Sequence, residues 1–203
     1  MSLSRRDSLA LMRTGRNLGV DPISFVALTE LESNTNPNIW GGDDGKYHGL
    51  IQFGPGARQE TGLVPTGNMT IEEQLPYVEK YFAGRGFEPG KHGVTEMYRT
   101  VLVGNPFQSG TDSNNTNSDR AAVRMMPGGD LYERARKKLE MGLGQRIDPG
   151  NLSMTTGEPL GGGPKPQNSY LAEDVEDKSE PRFAASQPFF TALRTFGNLL
   201  GFD

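Results

Sequence analysis

The sequence predicts a mainly α-helical domain with at most a small β element. Helix-start signals precede most apolar segments, and no segment shows the alternation of apolar and polar residues typical of a half-buried strand. Residues 1–147 contain most of the periodic apolar pattern. We therefore expect one domain over 1–147, a flexible linker rich in Gly, Pro and acidic residues over 148–185, and an amphipathic docking segment over 186–203.

The first two helices have clear start signals. Ser4, with Asp7 three residues later, predicts a capping box and a helix that ends at about residue 19. Asp21-Pro22 predicts a second helix to about Ser33, because a carboxylate caps its start and Pro is favoured at the first helical position. The apolar residues of this second helix point in every direction around a 3.6-residue period, which indicates a buried helix.

The rest of the domain alternates loops and helices. A loop over 34–48 leads into a short strand or buried turn over 49–53. Pro76 predicts a kink or a later start in the helix that contains it. Further helical segments are predicted at 56–61, 70–82, 94–103 and 119–141. The last of these is broken at Pro127-Gly128-Gly129.

Composition excludes several kinds of site. The chain has no Cys, which excludes disulfides and thiolate chemistry, and its two His residues argue against a His-rich metal site. Residues 1–147 contain as many basic as acidic residues, which argues against a nucleic-acid binder. No apolar run is long enough to span a bilayer, and Leu9–Met12 is too short for a signal peptide. We therefore expect a soluble protein without stable membrane insertion, export signal or metal.

Two carboxyl groups lie among the apolar residues of the second predicted helix. Periodicity does not choose between Glu30 and Glu32. Removing either carboxyl from water would favour its neutral form, and a carboxylic acid that remains protonated near neutral pH suits general acid catalysis of glycosidic bond cleavage. The alternative is that each Glu reaches solvent or caps a loop amide.

A series of short motifs follows these carboxyl groups. Glu32-Ser33 is followed by Asn36-Pro37, by Gly49-Leu50-Ile51-Gln52 and by Pro55–Ala57. In order and spacing these motifs resemble those of the lytic transglycosylase family of the lysozyme-like superfamily, including domains carried by bacteriophage virion proteins. The resemblance is specific over residues 23–62. It implies a lysozyme-like helical domain that needs no cofactor.

The resemblance also implies roles for individual residues. Glu32 would be the catalytic acid and base that cleaves the bond between N-acetylmuramic acid and N-acetylglucosamine in peptidoglycan, leaving a 1,6-anhydro product, and Glu30 would have a helix-surface or capping role. Ser33 would orient Glu32 or the sugar's acetamido group. Gln52 would bind sugar or the Glu-bearing loop. The family's third motif, commonly Ala-Tyr-Asn, has no direct match in this sequence. Either Tyr98, which would line the cleft, or Asn105 would take the place of that motif.

The loop after the second helix contains the other candidates. Trp40 is either a core anchor or a sugar-stacking platform. A hydrolytic enzyme would need a second acid to position water, and Asp43 and Asp44 are the acids nearest in sequence; the alternative is a solvated turn. Packing is the simpler interpretation of three further side chains, which are His48, Tyr77 and Tyr81.

The leading hypothesis is a virion-associated lytic transglycosylase that acts on peptidoglycan glycan strands of the host cell wall, in the periplasm, during phage genome ejection. The C-terminal stripe formed by Phe189, Leu193, Phe196 and Leu200 would dock on another virion protein or, as the alternative, back on the domain over 1–147. The alternatives are a structural virion protein with weak or no activity and a muramidase of the same superfamily that adds water.

Overall fold

A computed structural model of the protein describes residues 2–111, 115 and 117–149, without the side chain of Asp43. The predicted docking segment over 186–203 lies outside the described residues, as does nearly all of the predicted linker. The described residues form seven α-helices, one 3-10 turn and one two-stranded antiparallel hairpin. This confirms the mainly α-helical class with a small β element.

The helices have these bounds in chain order: α1 Arg5–Asn17, α2 Pro22–Ser33, α3 Pro55–Thr61, α4 Ile71–Gly84, α5 Val94–Val103, α6 Ser118–Arg124 and α7 Asp130–Leu143. Between α2 and α3, strand β1 (Trp40–Gly41) pairs with β2 (Tyr47–His48) around the 3-10 turn Asp43–Gly45. None of the helices in the described residues is long and apolar enough to cross a membrane.

Most of the predicted helix starts and stops are confirmed. Ser4 and Asp7 form the capping box of α1, and the carboxylate of Asp21 accepts hydrogen bonds from the first free amides of α2. The predicted later start of α4 is wrong, since the helix begins at Ile71 and continues through Pro76. A capping box and a buried apolar face stabilise α4 despite the backbone hydrogen bond that Pro76 cannot donate.

The second helix is the centre of the domain. It packs against α1, α7 and α5, and its apolar side chains from Ile23 to Leu28 are fully buried on all sides, as predicted. Burial of each large apolar side chain contributes about 1.5–3 kcal/mol. Gly15 permits the close approach of α1, because a Cβ at this position would lie 2.8 Å from the Cα of Pro22. The packing thus fixes the end of α2, where the two carboxyl groups lie.

Candidate active site

The chain turns sharply where α2 ends. Asn34 and Thr35 both have left-handed backbone conformations, with φ of 54° and 57°. Asn tolerates this region, but the β-branched Thr35 is strained there. The Thr35 amide donates to the carbonyl of Thr29 at 3.0 Å. This turn leaves Glu32 in the last turn of α2 with 8% of its surface exposed.

Glu30, one of the two candidate acids, is half of an ion pair between helices. Its carboxylate contacts the ammonium of Lys138 on α7, and the two side chains are only 16% and 9% exposed. The same ammonium donates to the carbonyl of Asn34 at 3.0 Å and to its Oδ1 at 2.7 Å. The predicted helix-surface or capping role of Glu30 is therefore wrong. Its carboxylate is used to join α2 to α7, and Glu32 remains as the candidate acid.

Ser33 connects α2 to the turn that follows the hairpin. Its buried Oγ lies 2.9 Å from the Thr29 carbonyl and 3.0 Å from the Leu50 carbonyl, and its single proton can serve either. Ser33 thus holds the 49–52 turn against the end of the helix that contains Glu32. The predicted contact of Ser33 with Glu32 or with a sugar stays a prediction.

A buried amide on α4 joins the two loops that contain the motifs. Fully buried Gln74 accepts a hydrogen bond from the Leu50 amide at 2.5 Å and donates to the Pro37 carbonyl at 2.9 Å. Gly49 is required beside it, because its φ is +78° and an added Cβ would lie 2.2 Å from the Gln74 Oε1. Gln74 therefore sets the position of the Asn36-Pro37 loop relative to the 49–52 turn.

Gln52 packs between this turn and the hairpin. Its φ of 54° is left-handed, and its Nε2 donates to the Gly49 carbonyl at 3.0 Å. A Cβ on Gly41 would lie 2.3 Å from the Gln52 Oε1, so strand β1 lies directly against this amide. The structure thus brings predicted site residue Gln52 together with the strand that contains Trp40.

Trp40 lies on the outer surface of the hairpin. Its side chain is 46% exposed, which excludes the predicted alternative of a core anchor. Its ring contacts that of His48, with 4.6 Å between centroids, and the guanidinium carbon of Arg58 lies 5.2 Å from the Trp40 ring centroid. His48 is fully buried, in agreement with the packing role predicted for it. Burial lowers the pKa of His48, and the positive charge of Arg58 lowers it further.

Asp44 lies at the tip of the hairpin. Its φ is 60°, its side chain is 80% exposed, and its carboxylate lies 3.1 Å from the Lys46 ammonium. These are the properties of a solvated turn, which was the alternative to a second catalytic acid. The side chain of Asp43 is outside the description, so its proposed role stays a prediction.

The two residues expected to replace the third motif lie in different environments. Tyr98 on α5 is only 1% exposed, so the prediction that it lines a cleft is wrong. It belongs to the core, because it lies on the buried face of α5 together with Met97 and Thr100. Asn105 follows the left-handed Gly104 that ends α5, is exposed, and accepts a hydrogen bond from the Phe107 amide at 2.9 Å. Of these two, only Asn105 is available to a ligand.

Tyr81 is a core residue, as predicted. Its hydroxyl donates to the Thr100 carbonyl at 2.9 Å and so joins α4 to α5. Burial raises the pKa of Tyr81 to about 12; the charge of Arg85 opposes this rise, whereas those of Glu60 and Glu32 add to it. Tyr81 therefore has a structural role in joining these two helices.

Comparison with known proteins assigns no family. No family model matches the chain, and neither a curated protein nor a solved structure matches it. Within the described part of the chain, no group of three or more His, Asp or Glu side chains is placed to hold a metal ion.

Proposed function

We propose that the protein is a peptidoglycan lytic transglycosylase with a lysozyme-like domain and that Glu32 is its acid and base. The observation that supports this most is the position of Glu32, nearly buried in the last turn of α2. Around that turn, Ser33 and Gln74 join the Asn36-Pro37 loop to the 49–52 turn. Motifs that are separated in sequence and resemble those of the family therefore assemble next to one carboxyl group.

The proposed reaction begins with proton transfer from Glu32 to the oxygen that links N-acetylmuramic acid to N-acetylglucosamine. The bond from C1 of the muramic acid to this oxygen breaks while the carbonyl oxygen of the sugar's own acetamido group bonds to C1. The Glu32 carboxylate then removes the proton from the C6 hydroxyl. Oxygen O6 bonds to C1 and displaces the acetamido oxygen, which closes the 1,6-anhydro ring without consuming water.

Environment favours Glu32 over Glu30 for this role. A general acid must be protonated before the reaction, and removal of a carboxyl from water acts in that direction. Glu30 is instead held by the Lys138 ammonium. The largely exposed position of Asp44, paired with Lys46, gives no support to a hydrolytic mechanism in which Asp44 positions water.

The resemblance to virion proteins suggests where the enzyme acts. We propose that it is delivered with a phage particle and opens the host wall during genome ejection, with residues 186–203 docked on another virion protein. A second candidate function is a structural virion protein with weak or no activity. The burial of Tyr98 favours this alternative, because a tyrosine expected to contact substrate is part of the core.

Digestion of purified peptidoglycan sacculi tests the proposal. Wild-type protein should release soluble anhydromuropeptides, which mass spectrometry identifies because they are one water lighter than hydrolysis products. Products that contain the added water would favour the muramidase. No release by folded wild-type protein would favour the structural protein.

A further inference from the structure

A cluster of side chains on the hairpin and α3 forms a surface that the proposed reaction does not use. It consists of Trp40, the His48 ring in contact with the indole and the Arg58 guanidinium over the indole ring, and we name it the Trp40 platform. Strand β1, which contains Trp40, packs against Gln52 of the motif turn. The platform is therefore attached to the same framework as the candidate acid.

His48 makes the platform unusual. It is fully buried, and neither of its ring nitrogens has a hydrogen-bond partner among the described residues. Buried polar atoms without partners are rare and costly in folded proteins. The His48 ring therefore serves as a buried packing surface for the exposed indole of Trp40.

Arg58 provides an anchored positive charge over the exposed indole ring. Its Nη1 donates to the Lys46 carbonyl at 2.7 Å and to the Phe53 carbonyl at 2.8 Å, which anchors the guanidinium between the hairpin and α3. Arg58 forms no ion pair with a carboxylate of the described residues, and the same is true of Arg13, which lacks the two backbone anchors of Arg58. An anchored guanidinium without a counter-charge among the described side chains is suited to bind a carboxylate from a ligand.

We propose that the Trp40 platform binds a sugar that carries a carboxylate: the exposed part of the indole packs against the pyranose ring, and the Arg58 guanidinium next to it pairs with the carboxylate. This inference rests on the proposed function for its substrate, the peptidoglycan strand. There, carboxylates belong either to the lactyl group of muramic acid or to the peptide attached to it. The platform would thus distinguish peptidoglycan from neutral polymers of N-acetylglucosamine.

The single tryptophan of the chain provides the assay, because its fluorescence reports only on the platform. The full-length Glu32→Gln variant, which should not cleave, is titrated with the neutral tetramer of N-acetylglucosamine. It is then titrated with a tetrasaccharide that alternates N-acetylglucosamine and N-acetylmuramic acid with free lactyl carboxylates. We expect about two- to fivefold tighter binding of the acidic glycan, the range for one partly exposed ion pair.

Two further arms define the origin of this preference. In about 1 M NaCl, where screening acts over roughly 3 Å, the preference should largely disappear. An acidic glycan whose lactyl groups bear the stem peptide shows whether lactyl or peptide carboxylates are bound. Equal binding of the neutral glycan and of both acidic glycans would overturn the inference.

Substitutions identify the residue responsible. Arg58→Gln should abolish the preference and retain the affinity for the neutral glycan, and Arg58→Lys should retain part of the preference because the charge remains. Arg13→Gln is the matched control, since it removes the same charge from an exposed position on α1. An unchanged preference in Arg58→Gln, or an equal loss in Arg13→Gln, would overturn the inference. If Arg58→Gln does not fold, Arg58→Lys is compared with the wild type instead: a reduced preference supports the inference, and a preference equal to that of the wild type overturns it.

Binding and cleavage fail separately in these experiments. If the platform does not prefer the acidic glycan, the wild-type protein should still release the same products from sacculi. A carboxylate preference in a protein that releases nothing from sacculi would overturn the proposed enzyme and retain the platform as a glycan-binding site.

Discussion

Replacing Lys138 with Met tests the structural role assigned to Glu30. The substitution preserves the length and apolar stem of the side chain and has a similar helix propensity. It removes the ammonium that contacts the Glu30 carboxylate and that donates to both oxygens of Asn34. The carboxylate then remains among packed helices without its counter-charge.

The size of the effect follows from the burial of the pair. Removing one partner of a buried ion pair costs about 3–5 kcal/mol. Because Glu30 retains 16% exposure and can recruit some water, we expect the lower end, about 3 kcal/mol. For a chain of this size each kcal/mol lowers the melting temperature by about 2–4 °C, so Lys138→Met should melt about 6–12 °C below the wild type.

The assay is thermal and denaturant unfolding of the wild type, Lys138→Met, Glu30→Gln and the double variant. Glu30→Gln should cost only about 1 kcal/mol, because the new amide oxygen can still accept from the ammonium. The double variant buries no isolated charge and should be more stable than Lys138→Met, with a coupling of at least about 1 kcal/mol. A double variant as unstable as the sum of both single variants would refute this reasoning.

Three other substitutions test the framework around Glu32. Gln74→Leu leaves one buried donor and one buried acceptor without partners, so we expect a loss of about 2–6 kcal/mol in denaturant unfolding; an unchanged unfolding midpoint would contradict the assigned role. Gly49→Ala should be more destabilising than its control Gly62→Ala, because both glycines have φ of +78° but only Gly49 has an atom within 4 Å of the added Cβ; equal losses would argue against the close contact. His48→Gln tests the effect of pH. Burial holds the pKa of His48 in the folded protein below 6.5, so the unfolded state binds the proton first on acidification. The stability of the wild type should therefore fall relative to that of the variant below about pH 6.5. Parallel stability curves from pH 7.5 to 5 would contradict that prediction.

The helix boundaries were predictable because their causes are local. The capping boxes at Ser4 and Thr70 span only four residues each, and the stops at Gly62 and Gly104 require one left-handed residue. Such signals act over a single turn and can be read directly from the sequence.

The partners that hold the site were not predicted, because they are far apart in the chain. Lys138 meets Glu30 across 108 residues, and Gln74 reaches Pro37 across 37. A usable signal was present: Gln74 lies three residues after Ile71 and four before Val78, which places a polar residue on the apolar face of α4. An amide in such a position must find buried partners.

The environment of the aromatic candidates also depended on tertiary packing. Periodicity could not distinguish a core role for Tyr98 from a cleft-lining one, because both place the side chain on the inner face of α5. The exposure of Trp40 depends on the hairpin register, in which it lies opposite His48. Neither the register of a two-residue ladder nor the packing of Gln52 against it follows from local sequence.

The central claim is that Glu32 cleaves peptidoglycan, and sacculus digestion by three proteins tests it most directly. Wild type, Glu32→Gln and Glu30→Gln are compared at equal concentration, after circular dichroism has verified that each is folded, and soluble products are identified by mass. We predict anhydromuropeptides from the wild type, nearly complete loss of them with Glu32→Gln, and most of the activity retained by Glu30→Gln. Activity that survives Glu32→Gln but is lost in folded Glu30→Gln would contradict the assignment of the catalytic acid.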